Sequence, residues 1–237
     1  MAIFSLNKKG SQFPYFLCRK ITRLIFRLFC RVHLVTLETP PQYGPCIVAS
    51  NHISHFEPTI ISSFFLRPLD WITMEELFHH PWSKKFFLSL NAIPVNRLGN
   101  NPSSHRKSLR TILERLAQQR MVGIFPEGGI RSQAASILEG APMKPGLASI
   151  SILSQAPIVP CVVLGSDRLY HAATWFQRPS LWIIIGKKIL PPSKKATAEE
   201  KKSFQEQLSA VFPTLQAELC QRFHLSHNDL PKAFKNS

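Results

Sequence analysis

The sequence predicts a single α/β domain, with a mostly parallel or mixed sheet flanked by helices and an amphipathic, basic helix in front of it. Short apolar runs rich in β-branched residues alternate along the chain with segments of helical periodicity. Such alternation is typical of a sheet that is covered by helices on both faces. The 237 residues are enough for one substantial core, and no internal repeat or low-complexity tract divides them.

The chain is expected to begin irregularly over residues 1–14 and to form its first helix over residues 15–33. Residues 15–32 contain no turn former, and apolar side chains fill much of the space between regularly placed cations. This pattern indicates a helix that lies in a membrane interface, with apolar side chains in lipid and cations at the headgroups. A basic surface helix packed on the core is the alternative. The cations recur at every fourth position, as Arg19, Arg23, Arg27 and Arg31.

The later elements follow from local signals. Gly44 and Pro45 precede an apolar, β-branched run, and Pro58 suits the start of a helix because its missing N–H would be unpaired there. A serine after Pro102 can cap the helix that follows. In order, the sequence predicts strand 46–50, helix 57–66, strand 69–73, short helices between 75 and 90, strand 92–96, helix 103–119, strand 121–125, a loop over 133–143, helix 145–154, strand 158–164, a polar segment over 166–180, strand 181–186 and a final helix over 197–222.

The loop after the first of these strands carries a histidine and a carboxylate five positions apart, His52 and Glu57. Loops at the carboxyl ends of strands are where α/β proteins build sites. A carboxylate there can orient a histidine and stabilise its protonated form, which produces a general base for a hydroxyl. Two other interpretations stay open. Ser54 with Glu57 matches a capping box, and His52, His55 and Glu57 could hold a metal, although their spacing matches no common zinc site.

Three further segments support a site at the same sheet edge. Strand 121–125 runs into a Pro-Glu-Gly-Gly turn, whose glycines can turn backbone N–H groups toward an anion. Arg131 follows this turn and can place its guanidinium on a phosphate. Another short strand ends at Arg97, and residues 157–163 form an apolar strand with two prolines.

In this order, the four segments resemble the lysophospholipid acyltransferases of the glycerolipid pathway, typified by bacterial 1-acylglycerol-3-phosphate acyltransferases. That family is marked by Asn-His-x-Ser-x-x-Asp, a strand ending in Arg, Phe-Pro-Glu-Gly-Thr-Arg-Ser, and an Ile/Val-Val-Pro-Val strand. The resemblance covers about residues 30–190 and implies an acyltransferase domain over residues 36–237. The pattern of the first helix predicts a membrane-interface segment over residues 1–35 in front of this domain. The matching stretches are residues 51–57, 93–97, 125–128 and 158–162.

The resemblance implies transfer of an acyl chain from a thioester, acyl-CoA or acyl carrier protein, to the hydroxyl of a lysophospholipid, first of all 1-acylglycerol-3-phosphate. His52 would take the proton from that hydroxyl, and Glu57 would hold the imidazole. Neither a cofactor nor a metal is implied. Glu127 is expected to bond a glycerol hydroxyl or to orient an arginine, and N–H groups of the glycine turn to steady the oxyanion. The predicted substrate-binding residues are Asn51, Ser54, Arg97, Glu127, Gly128, Gly129 and Arg131.

Two positions depart from the family pattern. Glu57 stands where the family has Asp, and the extra methylene moves the carboxylate by roughly 1.5 Å. Arg131 is displaced by one residue, because Gly129 and Ile130 replace a single threonine. These departures leave two alternatives open: an acyltransferase with a different acceptor, such as another lysophospholipid or an amino-lipid, or a catalytically inactive, basic, membrane-binding protein.

The formal net charge of +15 indicates an anionic partner. The sequence contains no recognisable nucleic-acid-binding motif, so no specific nucleic acid is expected, and an anionic membrane surface is favoured. No apolar run reaches the roughly 18 residues of a spanning helix. Five scattered cysteines without a C-x-x-C pair suit a reducing cytosol. We therefore expect a protein associated with the cytoplasmic face of a membrane.

Overall fold

The computed structural model describes residues 13–95, 102–131 and 136–231, with the backbone alone for residues 102–105. Within these residues, seven strands alternate with seven α-helices. The strands are β1 (Arg31–Thr36), β2 (Cys46–Ser50), β3 (Leu69–Met74), β4 (Ile93–Val95), β5 (Met121–Ile124), β6 (Ile158–Leu164) and β7 (Ser180–Ile185). The helices are α1 (Phe13–Phe29), α2 (Glu57–Phe64), α3 (Pro81–Ser89), α4 (Pro102–Ala117), α5 (Gly146–Ser154), α6 (Ala172–Phe176) and α7 (Ala198–Phe223).

The strands form one mixed sheet in the order β1-β7-β6-β2-β5-β3-β4. All neighbouring strands are parallel except β6 and β7, which run antiparallel. The predicted single α/β domain is therefore confirmed, and from β2 onward the predicted strands and helices end within two residues of the observed ones. Short 3₁₀ turns occupy parts of the predicted loop and polar segment, at Ile137–Glu139 and Ser166–Tyr170.

The first predicted helix is wrong at its carboxyl end. The helix α1 ends at Phe29 rather than at residue 33, and Arg31 begins the strand β1, which pairs in parallel with β7. The side chains of β1 alternate between the two faces of the sheet, and this positions Val35 in the core while Leu34 stays exposed. Arg31 continues the four-residue spacing of arginines but belongs to the strand, so the predicted boundary at residue 35 falls inside β1.

Hydrophobic cores cover both faces of the sheet. On one face, side chains of α1 and α2 pack on the strands, for example Phe26 and Ile60. On the other face, α4, α5 and α7 supply residues such as Leu116 and Phe212. The central strand β2 is buried along its whole length. A strand that is buried on both faces explains why residues 46–49 form an unbroken apolar run rather than an alternating one.

The helix α1 places two of its arginines against the protein. Arg19 donates from Nη1 to the carbonyl oxygens of Phe65 (3.0 Å) and Leu66 (2.7 Å), just after the end of α2. Arg23 lies over the ring of Phe64, 5.7 Å from its centroid. The predicted arrangement, in which all four arginines form one stripe directed at headgroups, is therefore wrong for Arg19. The outward face is largely apolar, with Phe13, Leu17, Ile21, Leu24 and Leu28 exposed.

Across the three described stretches of the chain, no helix combines the length and the apolarity that crossing a bilayer requires.

The direction of the strands determines which loops meet. The carboxyl ends of β2, β5 and β6 lie at one edge because these strands are parallel neighbours. The strand β7 runs the other way, so its first residues, and those of its parallel partner β1, lie at this same edge. The loop with His52, the glycine turn and the segment after β6 are thereby brought together.

Candidate active site

His52 and Glu57 are joined across the loop between β2 and α2. The Nδ1 atom of His52 lies 2.9 Å from Oε2 of Glu57, which is completely buried, while the imidazole is about one-tenth exposed. The Nε2 atom of His52 makes no hydrogen bond to any described residue. With Nδ1 held as a donor to the carboxylate, Nε2 carries the lone pair that can accept a proton.

The carboxylate of Glu57 is fully engaged by three residues. Ser54 donates to it twice, from its backbone N–H to Oε2 (2.9 Å) and from its hydroxyl to Oε1 (2.8 Å). The hydroxyl of Ser166, which follows β6, donates to Oε1 as well. The Ser54 contact resembles one half of the predicted capping box, but the N-cap residue of α2 is Phe56, which has no side-chain cap. Because the same carboxylate also contacts His52, a cap alone does not describe this residue.

Gly165 allows Ser166 to reach this carboxylate. Its φ angle is +84°, in the left-handed region, and a Cβ atom at this position would collide with the carbonyl oxygen of Ser180. A residue with a side chain would therefore have to move the turn that carries Ser166.

Replacing Gly165 by Ala is expected to lower the free energy of unfolding by about 2–5 kcal/mol, from left-handed strain and the steric overlap together. Gly140 provides the matched control, because its φ is also positive, at +80°, but it has open space around it. Gly140→Ala should cost only about 1 kcal/mol, the conformational part. Urea unfolding of both variants measures the difference, and equal losses would contradict the proposed steric role of Gly165.

A stack of rings fixes the plane of the imidazole. The ring of His52 lies parallel to Phe125, with centroids 3.9 Å apart, and Phe125 in turn stacks on Trp71 at 4.7 Å. Trp71 lies flat against Gly123 of β5, where a Cβ atom would overlap the indole ring. Since its plane and its Nδ1 contact are both fixed, the imidazole can present Nε2 in one direction only.

Glu127 positions the backbone of the histidine loop. Its Oε2 accepts the backbone N–H of His52 (3.1 Å), and its Oε1 accepts from Ser136 (2.5 Å) and the N–H of Ile137 (3.0 Å). Burial raises the pKa of this carboxyl, and these hydrogen bonds oppose the rise. Nε of Arg131 lies 3.9 Å from Oε2. These contacts favour the predicted ion pair that orients an arginine.

Arg131 is tied to the same loop. Its backbone N–H donates to the carbonyl oxygen of His52 (2.9 Å), and its side chain is about one-quarter exposed. The Nε atom is buried and makes no hydrogen bond within the described residues. Although Arg131 is displaced by one residue from the family pattern, its guanidinium therefore still lies beside the loop of His52. Its Nε–H is a donor that no described residue accepts.

A lysine side chain lies against the glycine turn. Gly128 has φ +76°, and a Cβ there would stand 2.7 Å from Cε of Lys144. The N–H of Gly128 donates to the carbonyl of Phe125 at 3.0 Å, which removes it as a predicted oxyanion donor. The N–H of Gly129 has no such partner among the described groups. Lys144 is exposed and adds a cation that the sequence analysis did not include in the site.

Asn51 connects two strands rather than opening into a groove. Its side-chain amide exchanges two hydrogen bonds of 2.9 Å with the backbone of Val163 in β6, and the residue is completely buried. It thereby fixes the distance between the loop of His52 and the segment that carries Ser166. That Asn51 touches substrate stays a prediction, and Arg97 lies outside the described residues.

Ser166, Phe125 and Trp71 are site residues that the sequence analysis did not identify. Ser166 had one signal, since Gly165 and Ser166 directly follow an apolar strand that is parallel to β2. Phe125 begins the matching stretch 125–128 but was not assigned to the site, and Trp71 had no signal, because aromatic side chains in strands are more often core than site.

The position of His55 does not support a metal site formed with His52 and Glu57. Its Nδ1 contacts the hydroxyl of Tyr170 at 2.5 Å. Over residues 13–95, 102–131 and 136–231, no three His, Cys, Asp or Glu side chains are grouped so that they could hold a metal ion.

A comparison with known families matches these loops. The model of the family described as "Acyltransferase" matches residues 31–164, which is more than half of the chain and includes His52, Glu57 and the glycine turn. The chain belongs to the Acyltransferase family. The strands β1 to β6 all lie within the matched region, and β7 and α7 follow it.

Relatives of this acyltransferase include two 1-acyl-sn-glycerol-3-phosphate acyltransferases. That of Bacillus subtilis is 27% identical over 174 residues, which is 73% of this chain and 80% of the relative. That of Limnanthes douglasii is 26% identical over 149 residues, 62% of this chain and 49% of the plant protein. The chain thus spans about half the length of the plant protein but most of the bacterial one.

The crystal structure of the 1-acyl-sn-glycerophosphate (LPA) acyltransferase PlsC from Thermotoga maritima has the same fold. The TM-score is 0.63 at 21% identity, with 86% of this chain and 80% of that chain covered. The acyltransferase fold of this protein is therefore established by a solved structure as well as by its sequence.

Proposed function

We propose that this acyltransferase moves an acyl chain from a thioester, acyl-CoA or acyl carrier protein, to the hydroxyl of a lysophospholipid. The observation that carries the proposal is the 2.9 Å contact between His52 Nδ1 and the buried carboxylate of Glu57. The acceptor proposed first is 1-acylglycerol-3-phosphate, since two relatives are named for that acceptor.

In the proposed reaction, His52 is the general base and Glu57 its positioning residue. Nε2 would take the proton from the acceptor hydroxyl as the oxygen attacks the thioester carbonyl. The carboxylate would hold the imidazole in the correct tautomer and stabilise the imidazolium that forms. When the tetrahedral intermediate collapses, the C–S bond breaks and the imidazolium can return the proton to the leaving thiolate.

A direct attack by the acceptor fits the state of the buried cysteines in the strands that lead to the site. Burial raises the pKa of Cys46 in β2 and of Cys161 in β6 to about 12. A thiol with so high a pKa is a poor nucleophile at neutral pH, because the thiolate is the reactive form. These two cysteines are therefore not proposed to carry the acyl chain.

For acceptor binding we propose the cations at the glycine turn. The buried Nε of Arg131 makes no hydrogen bond within the described residues, and the side chain of Lys144 passes close to Gly128. Both could bind the phosphate of the acceptor, and Arg97 is proposed to join them. Gly129 N–H is proposed to donate to the oxyanion. Glu127 and Ser54 would act on substrate indirectly, through the residues that they position.

We further propose that the outward face of α1 rests on the cytoplasmic face of an anionic membrane. Leu17, Leu24 and Leu28 are between 44% and 59% exposed. Intervals of seven and four residues are about two turns and one turn, so the three side chains share one side of the helix. An exposed apolar stripe of this kind is stabilised by the interface of a bilayer. The net charge of +15 favours an anionic surface.

An assay of thiol release by the purified protein tests the reaction. Acyl-CoA and acyl carrier protein would be offered as donors, each with 1-acylglycerol-3-phosphate, other lysophospholipids and a phosphate-free monoacylglycerol as acceptors. We expect release to depend on the acceptor and to be fastest with 1-acylglycerol-3-phosphate. A preference for the phosphate-free acceptor would contradict the proposed phosphate site, and no turnover with any pair would contradict the enzyme reaction.

A further inference from the structure

A cleft of about 300 Å³ lies between the end of α1, the strand β1 and the segment before β7. Arg27, Arg31 and Arg178 line it. Among the described residues, no carboxylate lines the cleft, and none forms an ion pair with these arginines. A cleft lined by arginines and by no carboxylate favours a bound anion.

Arg178 has an unfavourable backbone conformation and contacts the end of α1. Its φ angle is +53°, which residues with a Cβ atom rarely adopt. From this position its Nη2 donates to the carbonyl oxygen of Arg27 (3.3 Å), in the last turn of α1. The contact fixes the guanidinium of Arg178 beside α1 and leaves its other N–H donors available.

The surroundings of the cleft indicate the source of the anion. Arg27 lies in the sequence between Leu24 and Leu28, both of which are more than half exposed on α1. The cleft therefore adjoins the apolar face that we propose to contact the membrane. Its remaining walls are partly apolar, with Val32, Leu34 and Phe64.

We propose that this cleft binds the phosphate of an anionic phospholipid in the bilayer, as a site separate from the acceptor site at His52. The planar fork of a guanidinium matches two phosphate oxygens, and three such forks around one cleft would select an anionic headgroup. The inference rests on the proposed membrane contact of α1 and adds lipid selectivity to it. The acceptor site, by contrast, lies at the ends of β2 and β5.

Co-sedimentation of the full-length protein with vesicles tests the proposal. One set of vesicles contains phosphatidylcholine alone, and the other contains equal parts of phosphatidylcholine and phosphatidylglycerol. The double variant Arg27→Gln/Arg178→Gln should bind the mixed vesicles about thirtyfold more weakly than the unaltered protein, the effect of two basic residues at an anionic surface. Binding to phosphatidylcholine alone should change little.

The matched control is Lys107→Gln/Lys201→Gln, which removes the same charge from exposed positions of α4 and α7, on the opposite face of the sheet. Screening over that distance should limit its effect to less than about threefold. The single variant Arg27→Gln changes an exposed side chain with no hydrogen bond of its own, so it should fold and lose about fivefold.

The outcomes separate the two proposals. If the unaltered protein binds neither type of vesicle, the membrane contact of α1 and the lipid site are both refuted. If it binds the mixed vesicles and the arginine variants behave like the lysine control, the lipid site alone is refuted. CoA or inorganic phosphate is also added to the protein on mixed vesicles. If either one releases the unaltered protein but not the arginine variants, the cleft binds a soluble phosphate instead of a headgroup.

Discussion

Replacing His52 by Ala is expected to reduce acyl transfer by about 10²- to 10⁴-fold, the usual contribution of a positioned general base. The loss should appear in kcat, because the imidazole acts on the proton of the bound acceptor rather than on its phosphate. Thiol release from an acyl-CoA donor, measured with saturating acceptor, gives the rate. The fold should persist, since the backbone N–H and C=O of residue 52 keep their bonds to Glu127 and Arg131.

His55→Ala is the matched control for this prediction. It removes an imidazole from the same loop, three residues further along, where the ring contacts Tyr170 rather than a carboxylate. We expect this variant to retain most of its activity, and thermal unfolding of both variants reports whether the loop is intact. A folded His52→Ala protein with full activity would exclude the proposed base.

Replacing Glu57 by Asp should slow the reaction by roughly a hundredfold. The shorter side chain withdraws the carboxylate by roughly 1.5 Å, and a misplacement of about 1 Å can cost that factor. The loop fits the longer residue, because both carboxylate oxygens of Glu57 are bonded at once. Oε2 contacts His52 and accepts the N–H of Ser54, and Oε1 accepts the hydroxyls of Ser54 and Ser166. Aspartate could not keep all of these contacts.

Glu200→Asp provides a control for the capping interpretation. Glu200 accepts the N–H of Thr197 at 2.7 Å in the capping box of α7, so the same shortening there affects only a helix start. If Glu57 were merely a cap, the two variants would lose similar stability and neither would lose rate. A rate for Glu57→Asp equal to or above that of the unaltered protein would show that glutamate is a disabling change at this position.

Local pattern was sufficient to predict the sheet from β2 onward, because its strands are buried apolar runs between clear turn signals. The pairing of His52 with Glu57 was also predictable. Both residues lie in one short loop, and the end of β2 and the start of α2 determine its geometry. The glycine turn was also predicted to lie beside this loop, because parallel neighbouring strands end at one edge of the sheet.

Contacts between distant segments could not be predicted from local sequence patterns. The strand β1 was missed because Arg31 continues the helical spacing of arginines, and only pairing with β7, some 150 residues later, makes 31–36 extended. The inward direction of Arg19 depends on carbonyl groups at the end of α2. Periodicity shows that side chains share a face of a helix, but it does not show what covers that face.

The reversed direction of β7 determines which side of the protein the amino-terminal helix reaches. If β7 ran parallel to β6, the first residues of β7 and β1 would lie at the opposite edge of the sheet, remote from His52. Instead, Phe29 at the end of α1 contacts Trp175, whose ring also contacts Phe56 in the loop that carries His52. Under the proposed membrane contact of α1 and the proposed role of His52, a lysolipid from the bilayer would meet the helix and the base in one orientation of the protein. The protein would then not have to turn over between binding the lipid and acylating it.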